Sequence, residues 1–168
     1  MKLLNAQGEE VAIGEVGEIC VRGPQVMKGY LRNPEETSNT IRNGWLHSGD
    51  LGRFDDEGYL YIVDRKKDMI IRGGENIYPI EIEEVLYQLP EILEAAVVGM
   101  PHEVYGEVPK AFVVLKEGKA LTEADILNYM KTQLAKYKVP AEIEFIASLP
   151  RNASGKVLKH TLRPVQNV

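Results

Sequence analysis

The sequence predicts an α+β protein in two parts, a β-rich stretch followed by a small α/β domain. Three observations carry this. Residues 1–63 are broken by turn residues and alternate apolar with polar side chains, the two-residue period of half-buried strands. Residues 64–68, Asp-Arg-Lys-Lys-Asp, form a charged run between apolar blocks, as at a domain boundary. Beyond that run, short apolar strands alternate with segments carrying helix caps.

Met1 begins a polar, strand-like segment, and residues 15–22 alternate as a strand that Gly23-Pro24 ends. Asn33 before Pro34-Glu35-Glu36 supplies an N-cap, a first-turn proline and acids matched to the helix dipole, so a short helix runs from Pro34 to about Ile41. Ser48-Gly49-Asp50 has the composition of a turn leading into a strand over 51–54, and Asp55-Asp56-Glu57-Gly58 closes a hairpin onto 59–63. After the boundary come a strand over 69–71, a turn at Gly73-Gly74 and a helix from Pro79 that ends before Pro90. Strands follow over 92–100 and 111–116, then a helix over 123–134 capped by Thr122 with Asp125. A strand over 143–146, a loop around Lys156 and a short terminal helix complete the chain.

With 168 residues, 44% of them hydrophobic, the chain suits one ordinary domain or two small ones. Its apolar runs are far shorter than the roughly 20 residues of a membrane-spanning helix, and no signal-peptide pattern opens it, so the expected setting is cytoplasmic. Cys20, the only cysteine, excludes an internal disulfide and sits in a strand pattern as a buried thiol. His47, His102 and His160 lack ligand spacing, and no metal site is expected. The net charge of −5 is uneven: residues 1–64 hold 6 basic and 11 acidic residues, and residues 65–168 hold 14 of each. Over 131–168 there are 7 basic residues against Glu142 and Glu144, which suits a polyphosphate ligand and equally a solvated surface. A sequence pI near 5.3 and the lack of a basic helix argue against nucleic acid.

Taken singly, the motifs are weak. Gly155-Lys156 resembles the end of a phosphate loop, but the full pattern needs glycine where Pro150 stands and serine or threonine where Val157 stands. Alone, residues 150–156 read better as an exposed turn with a solvated lysine. Gly73-Gly74 alone is a hairpin turn, Asp50 a strand-entry residue, and Arg65-Lys66-Lys67 a linker.

Order and spacing change that weight. His47-Ser48-Gly49-Asp50, then DRKKDMIIRGGENIYPIEIE over 64–83, then LPRNASGK over 149–156 closely resemble three successive signatures of the adenylate-forming superfamily. That superfamily includes acyl-CoA synthetases, luciferases and the adenylation domains of peptide synthetases. The resemblance runs from about Gly14 to Arg163, and its middle block is highly specific.

The resemblance implies a role for each residue in turn. Asp50 accepts hydrogen bonds from the ribose hydroxyls of ATP, and Arg65 contacts the same nucleotide region. Lys67 is the hinge about which a small mobile domain swings. Gly73 and Gly74 line the pantetheine tunnel of CoA, with Tyr137 and Lys138 near the CoA nucleotide. Lys156 is the catalytic lysine that reaches the α-phosphate and the substrate carboxylate during adenylation, a fixed ammonium suited to developing charge. The implied domains are 1–63, the last β-rich part of a large N-terminal domain; 64–68, the hinge; and 69–168, the C-terminal lid.

The family's phosphate loop, adenine site, magnesium-binding glutamate and acyl pocket lie upstream of such a region, so Met1 reads as a fragmentary or engineered start and the chain alone is expected to be inactive. ATP, Mg2+ and CoA belong to the complete enzyme, whose implied partners are the large N-terminal domain and a fatty acid. The wording of the motifs is most like long-chain fatty acid CoA ligases, with aryl-CoA ligases as the nearest alternative. A peptide-synthetase adenylation domain is less favoured, since no carrier domain follows Arg163. A non-catalytic binding module is the alternative of another class.

Overall fold

Lys2–Leu4 (β1) and Gly17–Val21 (β2) pair antiparallel, with Leu3 opposite Ile19. The structure, a computed structural model, describes residues 1–164. Pro34–Thr40 (α1) begins where the sequence places it: the Asn33 side chain accepts from the Glu36 N–H at 3.1 Å, and Pro34 opens the first turn. Asn43-Gly44 then joins Ile41–Arg42 (β3) to Trp45–Phe54 (β4), a hairpin signal present in the sequence. Asp55 accepts from the N–H groups of Glu57 and Tyr59, closing the next turn onto Leu60–Arg65 (β5).

Two local expectations are corrected. Ser48-Gly49-Asp50 is not a turn between elements but the middle of β4. Its turn-like composition marks a kink inside the strand, where Gly49 takes φ 75° and the ladder with β5 shifts register just beyond, between Leu51 and Gly52. Asp64 and Arg65, assigned to a charged connector, extend β5, because Asp50 lies opposite Arg65 and Leu51 opposite Asp64. Leu3, Leu4, Ile19, Cys20 and Leu51 are buried in this sheet's core.

The chain divides into two compact units, Met1–Lys67 and Asp68–Val168. In the second, Ile70–Arg72 (β6) and Glu75–Ile77 (β7) form a hairpin, followed by Pro79–Leu86 (α2). Ile92–His102 (β8) and Gly106–Leu115 (β9) make a long antiparallel hairpin. Glu123–Gln133 (α3) carries the full Thr122/Asp125 capping box, and Glu142–Phe145 (β10) returns parallel to β9. A 3-10 turn, Lys159–Leu162, replaces the expected terminal helix.

Alternation along β8 and β9 sends two sets of side chains to opposite faces. Val97, Ala111 and Val113 pack with Ile82 and Leu86 of α2 and Ile126 and Met130 of α3. Burying each of these large side chains contributes about 1.5–3 kcal/mol. Ala96, Val98, Phe112 and Val114 face the other way, onto Leu149, Val157 and Leu162. The chain after β10 therefore covers the second face of the sheet.

Two of the sheet's outer strands, β8 and β10, meet helix side chains on their free backbone donors. Glu83 of α2 accepts from the Val97 N–H of β8 at 2.7 Å, and the Tyr87 hydroxyl meets the backbone of Ala95. Glu123 of α3 accepts from the Ile143 N–H of β10 at 3.0 Å. Among the described residues, no helix is long and apolar enough to cross a membrane.

Candidate functional site

The kink in β4 and the end of β5 bring Asp50 and Arg65 together, with Arg65 Nε donating to Asp50 Oδ1 at 3.1 Å. Both side chains are partly exposed, at 34% and 45%. Ser48, Gly49, Arg65, Lys66 and Lys67 line a cavity of about 390 Å³ beside them. A carboxylate accepts only, so an exposed Asp50 suits a pair of vicinal hydroxyls, while the guanidinium holds it in place.

Behind this pair lies a cluster that sequence spacing does not reveal. Glu18 is buried at 6% exposure, and its Oε2 meets His47 Nδ1 and Lys66 Nζ, each at 2.9 Å. Cys20 Sγ is 3.3 Å from the same ring nitrogen. Burial alone would raise the Glu18 carboxyl, but the hydrogen bonds from His47 and Lys66 outweigh it and hold the group below its ordinary value. Burial, then the Glu18 charge, push the Cys20 thiol up, as befits an unreactive core cysteine. The histidines that look scattered along the chain thus include one beside a carboxylate and a thiol, because register pairs Cys20 with His47. The three ligand-type atoms lie within 4.8 Å of one another, yet the Lys66 ammonium already neutralises the shared carboxylate.

In the second unit, Gly73 and Gly74 form the two-residue loop between β6 and β7, with φ 59° and 92°. Two successive positive φ values are what a tight hairpin of right-handed twist needs, and glycine takes them without strain. The Gly73 N–H donates to the Tyr105 carbonyl at 2.8 Å, tying the loop to the tip of the β8–β9 hairpin. Arg72, which the sequence did not single out, stacks on the Tyr105 ring at 4.9 Å and donates to the Tyr137 carbonyl at 2.7 Å. One guanidinium thus joins the glycine loop to Tyr137. Lys138 pairs with Glu81 at 2.5 Å; burial opposes its charge, but the carboxylate outweighs that and holds the ammonium above its ordinary value.

Lys156 stands on a different part of this unit. Asn152 Oδ1 accepts from Ser154 N–H, Ser154 Oγ–H and Lys156 N–H at 2.8 to 3.1 Å, which winds residues 152–156 into a fixed turn. Arg151 clamps it by donating to the Gly155 carbonyl and pairing with Glu94. The Lys156 side chain is exposed. Glu94 is near the start of β8 and Tyr105 just past its end, so the two loops are tied to opposite ends of one strand. Eight residues from Glu94 to His102, at about 3.3 Å each, put them roughly 26 Å apart along it.

Residues 1–31 match the AMP-binding enzyme family, and residues 81–156 match the AMP-binding enzyme C-terminal domain. The chain is 54% identical over 157 residues to a 3-[(3aS,4S,7aS)-7a-methyl-1,5-dioxo-octahydro-1H-inden-4-yl]propanoyl:CoA ligase of Rhodococcus jostii, covering 93% of this chain and 30% of that protein. To a 2-succinylbenzoate–CoA ligase of Bacillus cereus it is 56% identical over 147 residues, covering 88% and 30%. It superposes with TM-score 0.88 on o-succinylbenzoate CoA synthetase of Bacillus subtilis in complex with the acyl-adenylate intermediate, at 43% identity, covering 99% of this chain and 34% of that one. The same synthetase is also known in complex with ATP and magnesium ion. This chain belongs to the AMP-binding enzyme superfamily. It spans about a third of the length of the relatives it matches.

Proposed function

We propose that this chain supplies the ribose contact, hinge and two working loops of an ATP-dependent CoA ligase, and that the full-length enzyme acts on a carboxylic acid carrying a ring. The observation that carries the mechanism is the separation of Lys156 from Gly73-Gly74 along β8. Two loops so far apart on one rigid sheet do not serve one reacting centre at once. A swing about Lys67 brings each in turn.

In the first step the substrate carboxylate attacks the α-phosphorus of ATP and magnesium pyrophosphate leaves, with Asp50 and Arg65 on the ribose and Lys156 stabilising the developing charge. In the second step the CoA thiol attacks the acyl carbon past Gly73-Gly74, and AMP leaves. Tyr137 and Arg72 frame that approach, whereas Lys138 is engaged by Glu81 and acts through it. Mg2+ is held with the phosphates by residues outside this chain.

The acid class is supported by the relatives rather than by a pocket in these residues. Those named above act on 2-succinylbenzoate and on a bicyclic propanoate, which favours a ring-bearing acid over the fatty acid that the motif wording implies. Pyrophosphate exchange by the full-length enzyme should be fastest with 2-succinylbenzoate or another ring-bearing acid and slow with octanoate or palmitate. Exchange confined to the fatty acids would reverse the choice of acid, and no exchange with any carboxylate would remove the ligase reading.

A further inference from the structure

The Glu18 carboxylate sits in the core of the first sheet, where an apolar side chain of similar volume would often cost nothing in stability. Its partners give it a second purpose. His47 is three residues before Asp50 on β4, and Lys66 is the residue after Arg65. Lys66 is held twice, by its ammonium on Glu18 at 2.9 Å and by its backbone N–H on the Gly49 carbonyl at 2.8 Å. One buried oxygen therefore ties the middle of β4, which carries Asp50, to the end of β5, which carries Arg65, at the place where Gly49 kinks β4 and the ladder loses its regular register just beyond. A kink inside a strand interrupts its ladder locally, and there the side-chain tie fixes the separation of the pair.

We propose that Glu18 is a positioning residue for the nucleotide site, holding Asp50 and Arg65 in register through His47 and Lys66. The proposal rests on the reading of Asp50 and Arg65 as the ribose contact. It assigns the Glu18, Cys20 and His47 cluster to an organic ion pair rather than a metal ion, since Lys66 already supplies the positive charge.

The test measures AMP, ATP and CoA binding to the full-length enzyme by titration calorimetry, with KM and kcat for ATP in pyrophosphate exchange. Glu18→Gln should weaken AMP and ATP by about tenfold through misplacement of the ribose contacts, leaving CoA affinity unchanged. KM for ATP should rise while kcat is retained; a lost folded fraction would instead lower kcat at constant KM. Lys66→Met, at a side chain 44% exposed, should keep the fold and give a smaller change in the same direction. The double variant should be no weaker than Glu18→Gln alone. Unchanged AMP affinity in folded Glu18→Gln overturns the proposal, as does an equal loss for AMP and CoA. Should Glu18→Gln fail to fold, unchanged AMP affinity in Lys66→Met overturns it. A wild-type enzyme that binds no adenine nucleotide overturns the ribose assignment, and this proposal with it.

Discussion

Lys156 shows how much of a single residue's role sequence conveys. The motif LPRNASGK points to a role for Lys156, but what holds the residue in place is not legible in it. The Asn152 turn and the Arg151 clamp onto Glu94 depend on side chains that only the folded sheet brings together. Lys156→Ala in the full-length enzyme should lower adenylation by about 100-fold, the scale of losing one preorganised donor to developing charge. Thioester formation from supplied acyl-adenylate should stay within a few-fold of wild type; the two half-reactions, followed separately, check this. Glu18 and Arg72 were invisible in the sequence for a related reason. Each lies in an ordinary strand pattern, and its meaning comes from partners 29, 48 and 65 positions away.

At the scale of elements, caps and turns were the legible part. Asn33-Pro34, Thr122 with Asp125, and Gly73-Gly74 are local chemistry, and the chain obeys them. β3 and β7 went unread because Ile41-Arg42 and Glu75-Asn76-Ile77 are too short for a period and lack an apolar run such as the Met69-Ile70-Ile71 that marks β6. The kink at Gly49 read as a turn because composition alone does not distinguish a bend within a strand from a break between two. Gly74 illustrates the consequence of a correctly read turn. A Cβ there meets nothing within 4 Å, so Gly74→Leu tests backbone and approach rather than internal packing. It should impair the CoA step while sparing adenylation, the reverse of Lys156→Ala, and equal loss of both steps would contradict two alternating loops. Glu83 is a packing counterpart. Glu83→Ala leaves the buried Val97 N–H without its acceptor and Lys159 without its partner, and should destabilise the second unit by about 1–3 kcal/mol in urea denaturation. An unchanged midpoint would show that α2 holds β8 by apolar contacts alone.

For the whole molecule, the charged run read as a boundary lies where the chain passes between its two compact units, although β5 takes up its first two residues. Limited proteolysis should cut first within 66–68 and release a stable piece beginning near Asp68, identified by mass. First cleavage inside β8 or β9 would contradict a flexible joint. Acyl specificity was never legible in these residues, since none of the motifs describes an acyl pocket.

A bare sheet margin is an invitation to pair with a neighbouring molecule. Glutamates from α2 and α3 occupy backbone donors on the outer sides of β8 and β10. Those donors are thus unavailable to a neighbouring copy.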